Sequence, residues 1–134
     1  MTNERANHTW AVARKMVEIG KEKNLSEEEQ EDLFVLGINH DIGYQFGNNE
    51  NHNELGAEFL KENGYKYWKE VYYHGKPNSE YSSIYLDILN EADMKINKEG
   101  QEVSYEERLD DIADRYGKES IQYQNAEKVI STLK

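Results

Sequence analysis

Apolar residues recur every three or four positions through most of the chain, the spacing that places them on one face of a helix. The first such segment covers residues 3–23 and repeats at Val12, Met16 and Ile19. His8 lies one turn before Val12, on the same face. The pattern predicts an amphipathic first helix whose apolar face begins with a histidine.

A second helix is expected to begin at Ser26. The run 26–29, Ser-Glu-Glu-Glu, has the form of a capping box, and its acidic first turn complements the positive end of the helix dipole. The apolar pattern then continues to His40 and Asp41, and Gly43 is the predicted end.

Helical patterns also predict five further helices after a polar loop over residues 45–51. The third helix contains His52 and stops at Gly64, and a short aromatic-rich helix over 66–74 ends before Gly75 and Pro77. A fifth helix over 79–97 carries Asp93, and two more helices are expected over 105–116 and 119–133. No segment alternates with period two for long enough to predict a strand. We therefore expect an all-α bundle of about six or seven helices, in one domain over residues 1–134.

Length and charge narrow the class of protein. A chain of 134 residues fits one hydrophobic core, and ten Tyr and two Trp offset an apolar fraction of only 37%. The formal net charge of -11 and the lack of a basic stripe argue against a nucleic acid polymer as partner. A small phosphorylated ligand stays compatible with this charge, because a metal ion and a few cations can bind it locally.

Cysteine is absent, which excludes disulfides, thiolate metal ligands and cysteine nucleophiles. Any metal site must therefore use nitrogen and oxygen ligands. No apolar run follows the N-terminal charges or reaches the length of a membrane span, so we expect a cytoplasmic protein with no membrane partner.

Six residues that can bind a metal fall on or beside the apolar faces of predicted helices. A lone histidine on such a face is commonly a hydrogen-bonded core residue, but all four histidines of the chain share this placement with two aspartates. The six are His8, His40, Asp41, His52, His74 and Asp93. As a set they predict one metal centre.

The adjacent pair His40-Asp41 carries most of this prediction, because neighbouring residues at a helix end can both turn toward one ion. With an earlier histidine, His8, and a later aspartate, Asp93, the chain resembles the HD-domain superfamily of metal-dependent phosphohydrolases. The run 40–43, His-Asp-Ile-Gly, reproduces the HDIG form of one branch. The resemblance covers residues 5–93 and implies an HD-type helical fold.

His52 and His74 extend the resemblance to a branch that uses six ligands and binds two metals. The segments around them, 52–58 and 73–75, are similar to segments of bacterial HD-type diadenosine-tetraphosphate hydrolases. By that similarity, His8, His40 and Asp93 would bind one ion, His52 and His74 the other, and Asp41 would bridge them. Alternatively, His52 and His74 line a polar cleft over a single ion.

The resemblance implies a phosphohydrolase that acts on a nucleotide or another small phosphate ester or anhydride through a metal-bound hydroxide. Asp41 is the expected catalytic residue. The cofactor would be one or two divalent ions of Fe, Mn, Ni, Co or Zn, since imidazole and carboxylate accept them all. Arg5, one turn before His8, and the two lysines Lys76 and Lys95 are the candidates for binding the substrate phosphate.

Two departures from the pattern fall where substrate would bind. Tyr44 replaces the lysine that often follows the HDIG run, and Gly75-Lys76-Pro77 replaces the Thr-Thr-Gly that tends to follow the histidine in the hydrolase named above. Two other functions stay open: an HD-type mixed-valent diiron oxygenase, which uses the same six ligands, and a non-catalytic HD module that binds a nucleotide.

Overall fold

The computed structural model describes residues 3–48 and 51–134, and the regular structure in these ranges is helical. The α-helices are α1 (Asn3–Glu22), α2 (Glu27–Asn39), α3 (His52–Glu62), α4 (Trp68–Tyr73), α5 (Ile84–Met94), α6 (Tyr105–Tyr116) and α7 (Ile121–Leu133). A 3₁₀ helix, Ile42–Gln45, lies between α2 and α3. In these ranges no strand forms beyond one bridge between Ile96 and Glu102, so the expected all-α bundle is confirmed.

Helices α1 and α2 form a tightly packed hairpin that begins the site. Ser26 accepts a hydrogen bond from the Glu29 amide, and the Glu29 carboxylate accepts one from the Ser26 amide, which confirms the predicted capping box. A Cβ on Gly37 would lie 2.5 Å from the Cα of Ala13, so only glycine allows this approach of the two backbones. The close crossing brings the end of α2 beside the start of α1.

Three predicted helix boundaries were wrong by three residues or more, whereas the others agree with the structure within two residues. Helix α2 ends at Asn39 rather than at Gly43, because the backbone leaves the helical region at Asp41, with φ -107° and ψ 17°. The fifth helix spans Ile84–Met94 rather than 79–97, since Ser83 caps it by accepting a hydrogen bond from the Leu86 amide. Asn49 and Glu50 of the predicted loop 45–51 lie outside the described residues.

The core consists of two apolar clusters of unequal size. The larger is shared by α1 to α5 and includes Val12, Met16, Leu33, Leu36 and Leu89. The smaller lies between α6, α7 and the end of α5, where Met94 packs against Ile112, Ala126, Val129 and Ile130. The α6–α7 pair is thus mounted on the end of α5 that carries Asp93. None of the helices in the described ranges combines the length and the hydropathy that a membrane span requires.

Candidate metal centre

The six predicted ligands come together from five separate parts of the fold. His8 lies in α1, His40 caps α2 and is followed by Asp41, His52 begins α3, His74 follows α4, and Asp93 lies in the last turn of α5. Five of them are buried, and His52 is partly buried. Residues up to 85 positions apart in the sequence therefore meet in one small volume.

Asp41 lies at the centre of the cluster, and its two carboxylate oxygens face different histidines. Oδ2 lies 3.2 Å from Nε2 of His40 and 3.9 Å from Nε2 of His8. Oδ1 lies 3.4 Å from Nε2 of His52 and 3.5 Å from Nε2 of His74. The carboxylate thus divides the cluster into two sides.

Asp93 belongs to the side of His8 and His40. Its Oδ1 lies 2.8 Å from Nε2 of His8 and 3.6 Å from Nε2 of His40. One side therefore offers two imidazoles, Asp93 and one oxygen of Asp41. The other offers His52, His74 and the remaining oxygen of Asp41.

Backbone carbonyls orient three of the four imidazoles. The Nδ1 atoms of His8, His40 and His74 lie 2.9, 2.6 and 2.6 Å from the carbonyl oxygens of Asn97, Gly37 and Val71. A carbonyl oxygen can only accept a hydrogen bond, so each Nδ1 carries the proton and donates. In the neutral rings this directs the Nε2 lone pairs at the carboxylates, the orientation that metal-binding histidines adopt.

This arrangement fits a bound cation. Nε2 of His40 is buried and has no hydrogen-bond partner among the described residues. A lone pair opposite a carboxylate needs a proton or a positive ion between them. Ligands about 2.0–2.2 Å from one ion stand roughly 3–3.5 Å apart, similar to most of the separations around Asp41. Among the described residues, three overlapping sets of His and Asp side chains could hold an ion. Within each set, the ligand atoms all lie within 4.8 Å of one another.

The electrostatics of the cluster are strongly coupled. Burial alone would lower the pKa of His40, but the carboxylates of Asp41 and Asp93 outweigh it and hold that pKa well above its ordinary value. Burial alone would raise the pKa of Asp41, but the imidazoles, His40 foremost, hold it well below its usual range. Without a metal, protons shared between imidazole and carboxylate must balance the charge.

His52 is positioned by stacking rather than by a backbone carbonyl. Its Nδ1 is buried without a hydrogen-bond partner among the described residues, while its ring stacks on Tyr44 with centroids 4.0 Å apart. The Arg5 guanidinium lies 3.4 Å from the centroid of the Tyr44 ring. Burial lowers the pKa of His52 and raises that of Tyr44, so both side chains are uncharged at neutral pH. Tyr44, recognised in the sequence only as a departure, therefore supports a ligand.

Two of the three candidates for binding substrate phosphate line the cavity over the cluster. Arg5 and Lys76 lie in the wall of this cavity. The cavity is open to solvent and has a volume of about 180 Å³. Lys95 does not line the cavity: its Nζ is 2.9 Å from a carboxylate oxygen of Glu91, one turn back along α5. A position two residues after Asp93 points to a different face of the helix, so the structure does not bring Lys95 to the site.

The C-terminal helices α6 and α7 also line the cavity, and no role was predicted for them from the sequence. Their lining residues are Arg108, Ile112, Arg115, Tyr116, Gln122, Asn125 and Ala126. A signal was present, because Arg108, Ile112 and Arg115 follow each other at helical spacing and so place two arginines on the apolar face of α6. Asn53 was also missed. It is buried, and its amide donates to the carbonyl of His74 at 2.7 Å, which ties the end of α4 to α3.

Comparison with known protein families identifies the family of this chain. The family model described as HD domain matches residues 5–118, which include all six clustered residues and reach beyond α6. Comparison with curated proteins and comparison with solved structures gave no match.

Proposed function

The chain belongs to the HD-domain family, and we propose that it is a metal-dependent phosphohydrolase that acts on a small phosphate ester or anhydride. The family is of the metal-dependent phosphohydrolase type, and the described part of the chain contains clustered His and Asp groups that could hold a metal.

The observation that carries the proposal is the division of Asp41 between two sets of imidazoles. A residue that served only to neutralise one histidine would need one oxygen, whereas here each oxygen faces two Nε2 atoms. Such a carboxylate is suited to bridging two ions. We therefore propose two divalent ions, with the first on the side of His8 and Asp93 and the second on the side of His52 and His74.

Divalent ions at this place would supply a hydroxide at neutral pH and positive charge opposite the reacting phosphoryl group. The protein residues do the rest. Asp41 fixes the spacing of the two sides, and the carbonyls of Gly37, Asn97 and Val71 prevent three imidazoles from rotating. Arg5 and Lys76, in the cavity wall, are placed to orient phosphate oxygens and to stabilise the charge that develops on them.

The proposal is tested by a screen of small phosphate esters and anhydrides, with metal-free protein reconstituted separately with Mn, Fe, Co, Ni and Zn. We expect turnover with more than one of these metals, because a hydrolytic centre needs no change of oxidation state. Activity should disappear when a chelator removes the metal. Absence of phosphate release with every metal, together with oxygen consumption by the iron form, would favour the diiron oxygenase instead.

Metal binding should release protons. In the metal-free protein the carboxylates of Asp41 and Asp93 hold the pKa of His40 well above its ordinary value, so an incoming ion must displace a proton from this imidazole. Affinity should therefore rise with pH, by roughly tenfold per pH unit for each proton displaced, and level off above the raised pKa. Calorimetric titration with Mn²⁺ in two buffers of different protonation enthalpy measures the number released. Heats that do not depend on the buffer, with an affinity constant from about pH 6 to 8, would show that no such exchange takes place.

A further inference from the structure

The cavity gathers positive charge in an otherwise acidic chain. Five of its lining residues are Lys or Arg, out of sixteen in the protein, whereas three are Asp or Glu, out of twenty-seven. Two of those three acids, Asp41 and Asp93, belong to the proposed metal centre. Two bound divalent ions would make the excess of positive charge larger still. Such a site favours a ligand with more negative charge than one phosphate monoester carries.

These cations lie on two sides of the metal centre. Arg5 stacks on Tyr44, which in turn stacks on His52, and Lys76 is two residues beyond His74. Of the other three, Arg108 contacts Asp93, and Lys98 follows Asn97, whose carbonyl orients His8. Arg115 lines the same cavity from the last turn of α6.

Arg108 is the buried anchor of that second group. It is 7% exposed, its Nε donates to the backbone carbonyl of Asp93 at 3.1 Å, and its Nη1 donates to Asp111 at 2.9 Å. Its Nη2 lies 3.8 Å from Oδ1 of Asp93, too far for a hydrogen bond. These contacts fix the guanidinium in the cavity wall and use only part of its five donors.

Lys98 and Arg115 line the same cavity as Arg108. Lys98 follows Asn97, whose carbonyl orients His8, and the Lys98 amide donates to Asp111, the carboxylate that Arg108 also contacts. Arg115 lies two turns after Arg108 on α6 and donates to the hydroxyl of Tyr116 at 3.2 Å. Within the described ranges neither Lys98 nor Arg115 has a carboxylate within ion-pair distance.

We infer that Lys98, Arg108 and Arg115 form a second anion-binding subsite, and that the preferred substrate carries two closely linked phosphate groups, as a phosphoanhydride does. One group would lie at the metal centre between Arg5 and Lys76, and the other against the α6 wall. Hydrolysis of such a substrate rests on the proposed function, whereas binding of its second phosphate group at the subsite does not.

The size of the cavity supports a compact ligand. Its volume of about 180 Å³ is below the roughly 300–1,000 Å³ of pockets that enclose drug-sized molecules. Two linked phosphate groups fit that scale, whereas a dinucleoside compound would extend into solvent. The amides of Gln122 and Asn125, which line the α7 part of the wall, add neutral hydrogen-bonding groups at the rim.

The test compares two non-hydrolysable probes on the metal-loaded protein, methylenediphosphonate and methylphosphonate, by equilibrium titration. We expect the first to bind at least about tenfold more tightly than the second, since a charge-assisted contact contributes about that factor. The double substitution Lys98→Gln and Arg115→Gln should weaken methylenediphosphonate about tenfold and methylphosphonate less than twofold. Both residues are at least partly exposed, so neither needs to be intact for folding.

The matched control is Lys23→Gln, which removes one positive charge at an exposed position beyond the far end of α1, about 20 Å from His8 at 1.5 Å per residue. It should change neither affinity. Metal content after each titration shows whether a probe has extracted ions. The subsite would be overturned if the double variant lost affinity equally for both probes, or lost affinity for neither. If the proposed function is wrong but the subsite exists, the result is different. The screen then shows no hydrolysis, while the protein still prefers methylenediphosphonate and this preference still depends on Lys98 and Arg115.

Discussion

Asp41→Asn should abolish phosphohydrolase activity and lower metal affinity at least about a hundredfold. Replacing groups that only support metal ligands commonly costs 10–100-fold, and Asp41 faces both sides of the centre directly. Asparagine keeps the size of the side chain but offers one neutral oxygen, so it cannot serve two ions at once. The readout is metal content after desalting, together with the rate of phosphate release.

Asp110→Asn is the control for this change. Asp110 lies on the exposed face of α6, so its substitution makes the same change of charge and shape outside the cavity. It should leave metal content and rate within about twofold of the unmodified protein, as expected of a surface substitution. If Asp41→Asn retained both ions and full activity, the bridging role of Asp41 would be wrong.

Gly43→Ala should have the second large effect, on stability and on the ion at the side of His52. A Cβ at Gly43 would lie 1.6 Å from the carbonyl oxygen of His52, which is backbone and cannot move without moving the start of α3. Crowding of this kind costs about 1–3 kcal/mol of unfolding free energy, and more where backbone must shift. Displacement of His52 should reduce the bound metal from two ions to one. Thermal unfolding of the metal-free protein and metal analysis measure the two effects separately.

Gly64→Ala separates the crowding at Gly43 from a general effect of replacing glycine. Gly64 has φ 78°, and a Cβ there would meet nothing within 4 Å. The left-handed conformation alone should cost about 1–2 kcal/mol, while metal content stays unchanged. Equal metal content in both variants would contradict the proposed dependence of the second ion on the Gly43–His52 contact.

The sequence predicted the helices well because their periodicity and caps are local. Ser26 with Glu29 marks the start of α2, and the apolar spacing of α1 marks its buried face. The exact end of α2 is not a local property. The chain turns at Asp41 because Gly43 must pass against the His52 backbone, which only the tertiary contact reveals.

The six clustered residues were predictable since each is a polar group on or beside an apolar helix face, and their order matches the pattern of HD domains. The part of the cavity wall that α6 forms was missed although Arg108 and Arg115 have helical spacing with Ile112, because an arginine on a helix is commonly a surface residue. That Arg108 is buried follows from the packing of α6 against the end of α5, where it donates to Asp93 and Asp111. Likewise, Lys95 is close to Asp93 in sequence, but the rotation of α5 directs it to Glu91.

The most direct test of the metal centre is the number of ions that the purified protein binds. Metal-free protein would be dialysed to equilibrium against Mn²⁺ at neutral pH, and protein and metal would be quantified in the same sample. We expect two ions per chain, with a thermal unfolding midpoint that rises with Mn²⁺ concentration. Protein that binds no Mn²⁺, Fe, Co, Ni or Zn, and whose unfolding midpoint none of them changes, would contradict it.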